Sequence, residues 1–337
     1  MGGRNVDDRY DEVFRQYNFR IENIYRARGA LLLETDKGVK LFRSIQNSAA
    51  RIEFENKVLL FLKEQGCENI DLYCPNKDNE VISEDSQGDK YTVKNWCRGE
   101  ESNLRDVHQV KNAARNLAFL HQELKCVSFA KERPLNQTQM LPNLFEKHNR
   151  ELKRVKTYII DKKQKNEFEI RFLNMYDRFY EQATRAAEQL KDSQFDKIMK
   201  RCTTDGTVMH GSYTYHNIIV TSEGIFTTNF DKADVGLQVS DLYYFIRKVM
   251  EKNNWDIRLC NVILDEYLRH NALDKGEQEL LYILMLYPEK FWKVTNYYYN
   301  GKKSWISGRT IQKLACIQQQ QETKNLFLQN LKHYCIM

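Results

Sequence analysis

The chain has 337 residues, of which 42% are hydrophobic and 29% are charged, and only 4 are proline. This composition supports one large core or two smaller ones and excludes an intrinsically disordered chain. The formal net charge of +6 arises from 52 basic and 46 acidic residues. Because this excess is small for the length, a nucleic-acid-binding surface is not expected.

The sequence predicts neither a membrane span nor a structural metal site. No window reaches about 18 consecutive apolar residues, as a transmembrane helix requires, and the N-terminal segment is polar, unlike a signal peptide. The 8 cysteines form no CxxC pair and have no histidine at zinc-finger spacing. We therefore expect reduced, mostly buried thiols in a chain made inside a cell, without a membrane partner.

The first third of the sequence predicts a small sheet with one helix. The tripeptide Asp36-Lys37-Gly38 is a hairpin-turn signal between two apolar runs. Apolar residues at helical spacing then lead to Gly66, which is well placed to cap the end of a helix. The expected elements are a strand at 20–25, a hairpin at 30–45, a helix at 49–66 and a second hairpin at 81–96.

The rest of the sequence predicts helices, interrupted by one small hairpin. Two short β segments, at 217–220 and 225–228, flank the turn Ser222-Glu223-Gly224. Before the helices, Gly99 follows a strand and marks a hinge. The predicted organisation is an N-terminal lobe at 1–97, a hinge at 98–103 and a helical C-terminal lobe at 104–337.

The hairpin carries a motif. His210-Gly211-Ser212, followed by Asn217 and a strand, resembles the catalytic loop H-G-D-x-x-x-x-N of the aminoglycoside-phosphotransferase and choline-kinase superfamily. The tetrapeptide Thr228-Asn229-Phe230-Asp231 stands where that superfamily has I-D-[FW]-[DEG]. Asp241 matches a later aspartate that opens a buried helix. The resemblance implies an α+β, two-lobed protein-kinase-like fold, with a small mixed β/α N-terminal lobe and a larger, mostly helical C-terminal lobe.

A second resemblance covers nearly the whole chain. Segments such as Glu53-Phe54-Glu55-Asn56-Lys57, Leu117–His121 and Phe291-Trp292-Lys293 are similar to those of the CotS-type spore coat protein family. This family implies a kinase-like protein of a spore-former, made in the mother-cell cytoplasm and deposited on the spore coat. Its implied partners are other spore coat proteins and a small-molecule ligand in the inter-lobe cleft.

Two departures from the superfamily motif affect its chemistry. Ser212 stands where relatives place the aspartate that accepts the substrate proton, and a serine hydroxyl is no general base near neutral pH. Asn229 stands where relatives place a metal-binding aspartate, while the metal-binding Asn217 is retained. Asp231 either supplies a carboxylate beside Asn229, as residues two apart in a strand would, or only caps the next loop. We favour the cap.

The predicted nucleotide site is also incomplete. Arg28-Gly29 is the candidate turn over the phosphates. Lys40 and Arg43 are the candidate cations of the third strand, and Glu55 is their candidate partner on the helix. Alternatively, these three residues and Glu53 are surface charges of an ordinary hairpin and helix. His210 is expected to be structural. The resemblance implies ATP and Mg²⁺ as cofactors, whereas the residues by themselves assign neither.

Three functions remain open. The leading hypothesis is a catalytically impaired, pseudokinase-like protein of coat structure or assembly. The alternative is an active small-molecule phosphotransferase that uses ATP and magnesium with an atypical site. A third is a docking module that acts without nucleotide.

Overall fold

The computed structural model describes residues 6–27, 29–45, 47–125, 129, 141–301 and 308–336. The chain divides into two compact units. The first unit consists of Met1–Asn103 and Thr214–Ala233, and the second of Leu104–Tyr213 and Asp234–Met337. The predicted lobe boundaries and the hinge at 98–103 stay a prediction.

The first unit contains a five-stranded antiparallel sheet in the order β1-β2-β3-β5-β4. Its strands and helices agree with the predicted hairpins and helix, except that α1 was not predicted. The elements are α1 (Val6–Phe14), β1 (Ile21–Ala27), β2 (Ala30–Thr35), β3 (Gly38–Ser44), α2 (Ala49–Glu64), β4 (Ile82–Glu84) and β5 (Lys90–Asn95).

Helix α2 has a defined start and end. The Ser48 side chain accepts a hydrogen bond from the Arg51 backbone N–H at 3.4 Å, so it caps the N-terminus. Gly66 adopts a φ of +87°, a left-handed conformation that glycine adopts without strain. The predicted cap at Gly66 is therefore confirmed.

The two faces of the sheet have different roles. Phe42 and Val93 are directly opposite each other on β3 and β5, and they pack with Val13 and Phe14 of α1 in one apolar cluster. Side chains alternate between the faces of a strand. The next cross-strand pair, Leu41 and Lys94, therefore points to the other face, the face that meets α2.

A second, three-stranded sheet completes the first unit. Strand β6 (Glu100–Glu101) pairs with β8 (Ile218–Thr221), which pairs with β9 (Gly224–Thr227). The β8–β9 hairpin was predicted at this place. Short 3₁₀ turns, at Tyr215–Asn217 and Phe230–Lys232, precede and follow it.

The second unit is mostly helical, with the two-stranded pair β7–β10 as its only sheet in the described residues. Helices α4, α5, α10 and α11 enclose an apolar cluster that includes Phe172, Phe179 and Phe291. The elements are α3 (Val107–Glu123), α4 (Leu141–Asp161), α5 (Glu167–Asp192), α6 (Phe195–Asp205), β7 (Val208–Met209), β10 (Asp234–Val235), α7 (Gln238–Lys252), α8 (Ile257–His270), α9 (Lys275–Leu286), α10 (Glu289–Asn300), α11 (Gly308–Gln319) and α12 (Gln321–Ile336).

Two sequence expectations can be judged from these residues. Of the six cysteines whose burial the structure describes, only Cys202 and Cys260 are buried, so for these residues the prediction of mostly buried thiols is wrong. Within the described ranges, no helix combines the length and apolar character that crossing a membrane requires.

Candidate functional site

In the second unit, the loop that resembles a catalytic loop is held by one carboxylate. Asp241, in the first turn of α7, is fully buried. Its two oxygens accept hydrogen bonds from the backbone N–H groups of His210 at 2.7 Å and Gly211 at 2.8 Å. Charge-assisted bonds of this kind are stronger than neutral ones. Asp241 therefore fixes the path of the backbone immediately before Ser212.

His210 also takes part in the loop geometry. It is completely buried, and its Nδ1 accepts a hydrogen bond from the Ser212 backbone N–H at 3.1 Å. An accepting Nδ1 carries no proton, so the imidazole is neutral in this arrangement. The geometry supports the structural role proposed for His210, which stays a prediction. The Ser212 side chain supplies a hydroxyl and no carboxylate at the position of the family base.

A buried polar chain lies behind this loop. His121 on α3 contacts Asp241 through Nε2 at 3.3 Å and the Tyr267 hydroxyl through Nδ1 at 2.7 Å. Asn271 donates to the same hydroxyl at 2.6 Å. Burial lowers the pKa of His121, because desolvation disfavours the imidazolium form more than Asp241 stabilises it. This network makes the anchor of the loop part of the helical core.

In the first unit, Asn229 is bound from two sides. Its side-chain Oδ1 accepts a hydrogen bond from Arg43 Nη1 at 3.2 Å, and its backbone N–H donates to Asp71 Oδ2 at 2.9 Å. Asn229 has a φ of +66°, a left-handed conformation that asparagine tolerates better than most residues. The amide oxygen at the metal position of relatives is thus engaged by a guanidinium of the same chain.

Glu55 of α2 pairs with a residue that the sequence did not suggest. Lys94 of β5 lies 2.5 Å from Glu55 and 3.0 Å from Asp71, and all three side chains are at most 10% exposed. The Tyr73 hydroxyl donates a second hydrogen bond to Glu55 at 2.6 Å. Neither Lys40 nor Arg43 forms this ion pair, so the proposed strand-three partnership with Glu55 is wrong.

The reason lies in the strand register. Lys40 and Arg43 are three residues apart on β3, so they point to opposite faces of the sheet. The Lys40 ammonium donates to Asn95 Oδ1 at 2.7 Å on the α1 face, and burial lowers its pKa. Arg43 shares a face with Leu41 and hence with Lys94. Arg43 is therefore the cation of this strand that lies beside Asn229.

Asp71 is a buried acid that sequence reasoning missed. It is 1% exposed, and its Oδ1 has no hydrogen-bond partner in the part of the chain that the structure describes. Burial raises its pKa to about 6, although the Lys94 ammonium opposes the rise. Its sequence signal was weak, because Asp71 lies in an irregular segment after α2 and gains its partners only through the fold.

The geometry assumed for Asp231 is not observed. Strand β9 ends at Thr227, and Asp231 lies in a 3₁₀ turn, so the argument that residues two apart in a strand share a face does not apply. The assumption that Asn229 and Asp231 lie in one strand is therefore wrong. Asp231 Oδ1 is buried without a hydrogen-bond partner among the described atoms, while its backbone carbonyl accepts from Arg51 Nε at 2.8 Å.

The remaining candidate residues are placed as follows. The backbone N–H of Asn217 donates to the Thr214 carbonyl, and its carbonyl accepts from Thr228 N–H at 3.0 Å, which closes the β8–β9 hairpin. Gly29 adopts a φ of +70° in the β1–β2 turn, whereas Arg28 lies outside the described residues. No group of three or more His, Cys, Asp or Glu residues in the described ranges could hold a metal ion.

Solved structures similar to this chain are small-molecule kinases. An aminoglycoside phosphotransferase from Alicyclobacillus acidocaldarius aligns with a TM-score of 0.84 and 17% identity, covering 99% of this chain and 98% of that one. Spectinomycin phosphotransferase APH(9)-Ia, in complex with ADP and spectinomycin, aligns with a TM-score of 0.69 and 11% identity, covering 97% and 99%. The amicoumacin kinase hAmiN, in complex with AMP-PNP and Ca²⁺, aligns with a TM-score of 0.63 and 13% identity, covering 95% of each chain.

These likenesses confirm the predicted α+β, two-lobed fold of the aminoglycoside-phosphotransferase type. The chain belongs to the family described as "Spore coat putative kinase YutH", which matches residues 10–331. It is also 22% identical over 330 residues to Spore coat protein S of Bacillus subtilis (strain 168), covering 95% of this chain and 93% of that protein. The predicted CotS-type resemblance is confirmed, and membership of this family implies deposition on the spore coat.

Proposed function

We propose that this chain is a kinase-like spore coat protein that acts in coat structure or assembly without phosphotransfer. The observation that carries this proposal is the hydrogen bond from Arg43 to the Asn229 side chain at 3.2 Å. Relatives place a metal-binding carboxylate at this position. Here the position has a neutral amide, and the oxygen of that amide is already bound by an internal cation.

The charges around Asn229 do not suit a divalent metal ion. Mg²⁺ is usually held by one or two carboxylates together with phosphate oxygens and water. An ion bound to Asn229 Oδ1 would meet the positive charge of Arg43, which repels it. Asp231 is the one proposed metal ligand that carries a negative charge. The residues present therefore fit Mg²⁺ poorly.

The missing base supports the same conclusion. Ser212 follows a well-anchored backbone, with Asp241 on the two preceding N–H groups, but it has no carboxylate to accept a proton. Loss of a positioned acid or base typically costs on the order of 10²–10⁴-fold in rate. An altered metal position would add to this loss.

The coat role rests on family membership. The matched family and the Bacillus subtilis relative are both described as spore coat proteins. We propose other coat proteins as partners, and a role in assembly would need binding surfaces rather than turnover. Two complementary experiments separate the silent site from the coat role.

The first experiment measures turnover. Phosphate release from ATP with Mg²⁺ or Mn²⁺ is followed for the wild type and for Asn217→Ala, which removes a proposed metal ligand. We expect the wild type to release phosphate no faster than Asn217→Ala. ATP consumption by the wild type that disappears in both Asn217→Ala and Glu55→Ala would overturn the proposal.

The second experiment measures coat assembly in a sporulating host. A fluorescent fusion of the wild type is compared with an Asn217→Ala fusion in a strain that lacks the native gene. We expect both fusions to reach the coat and to restore its composition equally. If the Asn217→Ala protein reaches the coat but does not restore it, the site has a function and the silent-site part of the proposal fails.

One observation favours the alternative of an active small-molecule phosphotransferase. Asp231 Oδ1 is a buried carboxylate oxygen with no partner among the described atoms, as a metal ligand would be before its ion binds. ATP and Mg²⁺ are the cofactors in this alternative, since the similar kinases were solved with ADP or AMP-PNP. Stabilisation by Mg·ATP in a thermal-shift assay, lost in Asp231→Asn, would support it.

A further inference from the structure

A small cavity lies in the second unit, where Phe179 and Phe291 of the apolar cluster form part of its lining, and none of its lining residues belongs to the kinase-like motif. Its floor is aromatic and aliphatic, and Trp255, between α7 and α8, forms one wall. The polar part of its lining includes Lys290 of α10, Gln320, and Lys324 of α12. A cavity whose lining combines an apolar floor with two lysines differs from the ordinary apolar voids of a protein core.

The groups around this cavity carry more positive than negative charge. Two buried carboxylates share three cations: Glu251 contacts Arg247 at 2.7 Å and Lys290 at 3.4 Å, while Glu289 contacts Arg247 at 3.5 Å and Lys293 at a shorter distance. Two further lysines, Lys248 and Lys324, are close enough to interact with these carboxylates electrostatically. The cluster therefore has more cations than its own carboxylates can neutralise.

Lys324 has no anionic partner of its own. Its ammonium lies over the Trp255 ring, 5.1 Å from the ring centroid, and in the described ranges it forms no ion pair within 4 Å. Burial lowers its pKa to about 8; Glu251 opposes this fall, and Arg247 and Lys290 add to it, so the lysine is incompletely neutralised. Arg247 is 5% exposed, and its Nε also has no hydrogen-bond partner among the described atoms.

The backbone that presents the Trp255 ring is strained. Asn254 and Trp255 have φ values of +48° and +59°, and a left-handed conformation is a genuine outlier for a residue as bulky as tryptophan. Such outliers persist where the surrounding structure holds them, and they concentrate at ligand sites. In this conformation the Trp255 indole lies beneath the Lys324 ammonium and packs against Phe327, with the two ring centroids 5.2 Å apart.

We infer that this cavity binds a small oxyanion of the phosphate or carboxylate class, with the Lys324 ammonium as its principal contact and Lys290 beside it. An anion would supply the negative charge that the cluster lacks. The aromatic floor favours a compact anion in a partly desolvated place, where charge attraction is stronger than in water. The inference is independent of the proposed function, because none of these residues belongs to the kinase-like motif.

The test measures anion binding by the full-length chain. Sodium phosphate and sodium acetate are titrated at constant ionic strength and at pH 7, below the pKa of Lys324, and binding is followed by calorimetry. Lys324→Met removes the charge but retains a stem that packs on Trp255. Lys313→Met is the matched control, because Lys313 lies over the Tyr297 ring at 5.9 Å and does not line the cavity.

We expect saturable binding of at least one of the two anions to the wild type and to Lys313→Met. Binding to Lys324→Met should be at least about tenfold weaker, the factor that a lost charged hydrogen bond produces. Absence of saturable binding to the wild type at millimolar anion, or equal binding to folded Lys324→Met, would overturn the inference. Crystals soaked in selenate give an independent readout: anomalous density is expected beside Lys324 Nζ, and density only elsewhere contradicts the assignment.

Discussion

Two stretches resemble the kinase-like motif, and they differ in which features of that motif they retain. In the second unit, the loop before Ser212 has its full backbone support, because Asp241 accepts hydrogen bonds from both His210 and Gly211. In the first unit, Asn229 is paired with Arg43, and Glu55 is paired with Lys94 of another strand. The comparison teaches that the backbone anchor of the proposed motif is present, while two of the side chains proposed to meet the reactants, Ser212 and Asn229, differ from it.

The largest effect is expected for the ion triad of the first unit. Lys94→Met would leave Glu55 and Asp71 as buried carboxylates without their cation, which typically costs about 3–5 kcal/mol. Lys90→Met is the matched control, since Lys90 lies on the same strand but pairs with Glu84 at the surface, where such pairs contribute about 0–1 kcal/mol. Urea denaturation measures both. Equal, small losses of unfolding free energy in the two variants would show that the triad does not stabilise the fold.

The anchor of the second unit should come next. Asp241→Ala leaves the buried N–H groups of His210 and Gly211 unsatisfied, and we expect a loss of about 2–4 kcal/mol in the free energy of unfolding. Asp241→Asn retains one carbonyl acceptor, so its loss should be smaller. Chemical denaturation checks the order of the two variants. If Asp241→Asn is as destabilised as Asp241→Ala, charge rather than hydrogen bonding dominates the anchor.

On acidification, Asp71 in the first unit and His121 in the second should change the free energy of unfolding in opposite directions. The pKa of Asp71 is raised to about 6, so between pH 6 and its unfolded value near 3.8 the folded state binds more protons, and this group favours folding as pH falls. The pKa of His121 is lowered, so below about pH 6.5 the unfolded state binds more protons and stability falls.

The measurement is the slope of unfolding free energy against pH. Relative to the wild type, Asp71→Asn should lose stability more steeply on acidification and His121→Gln less steeply. Each difference is expected to reach at most about 1.4 kcal/mol per pH unit. If both variants show the same dependence of unfolding free energy on pH as the wild type, neither group has a different pKa in the folded and unfolded states.

The smallest effect is expected for Arg43. Arg43→Met removes one hydrogen bond to Asn229, which is only partly buried, and should cost about 1 kcal/mol. Arg26→Met, an exposed position on the neighbouring hairpin, should stay within about 0.5 kcal/mol. The two variants are also compared in a thermal-shift assay with Mg²⁺. If Mg²⁺ stabilises Arg43→Met but not Arg26→Met, the Arg43 guanidinium is the group that excludes the ion.

The sequence was most informative where local chemistry decides the structure. The turn at Asp36-Lys37-Gly38 and the cap at Gly66 depend on neighbouring residues, and both were predicted. The ion triad could not be predicted, because Lys94 has two partners, Glu55 and Asp71, that are distant in sequence and adjacent only after folding. A lone lysine in a strand gives no signal that distinguishes a surface charge from a buried one.

The errors in the site have the same physical origin. Choosing between Lys40 and Arg43 required knowledge of which sheet face meets α2, and the packing of α1 determines that face. The assumption of one strand through Asn229 and Asp231 failed because Asn229 adopts a left-handed conformation and its backbone N–H donates to Asp71. Tertiary contacts thus overrode a pattern that by itself favours an extended backbone.

The first unit is assembled from two separated stretches, Met1–Asn103 and Thr214–Ala233. During synthesis, a ribosome must therefore add 110 residues of the second unit, Leu104–Tyr213, before the partner of strand β6 and the donor to Asp71 exist. Until then the nascent N-terminal segment has an incomplete core and a buried acid without its backbone donor. We expect that a fragment ending at Asn103 cannot be expressed as a stable domain, and that a split of this protein for engineering must keep 214–233 with the N-terminal segment.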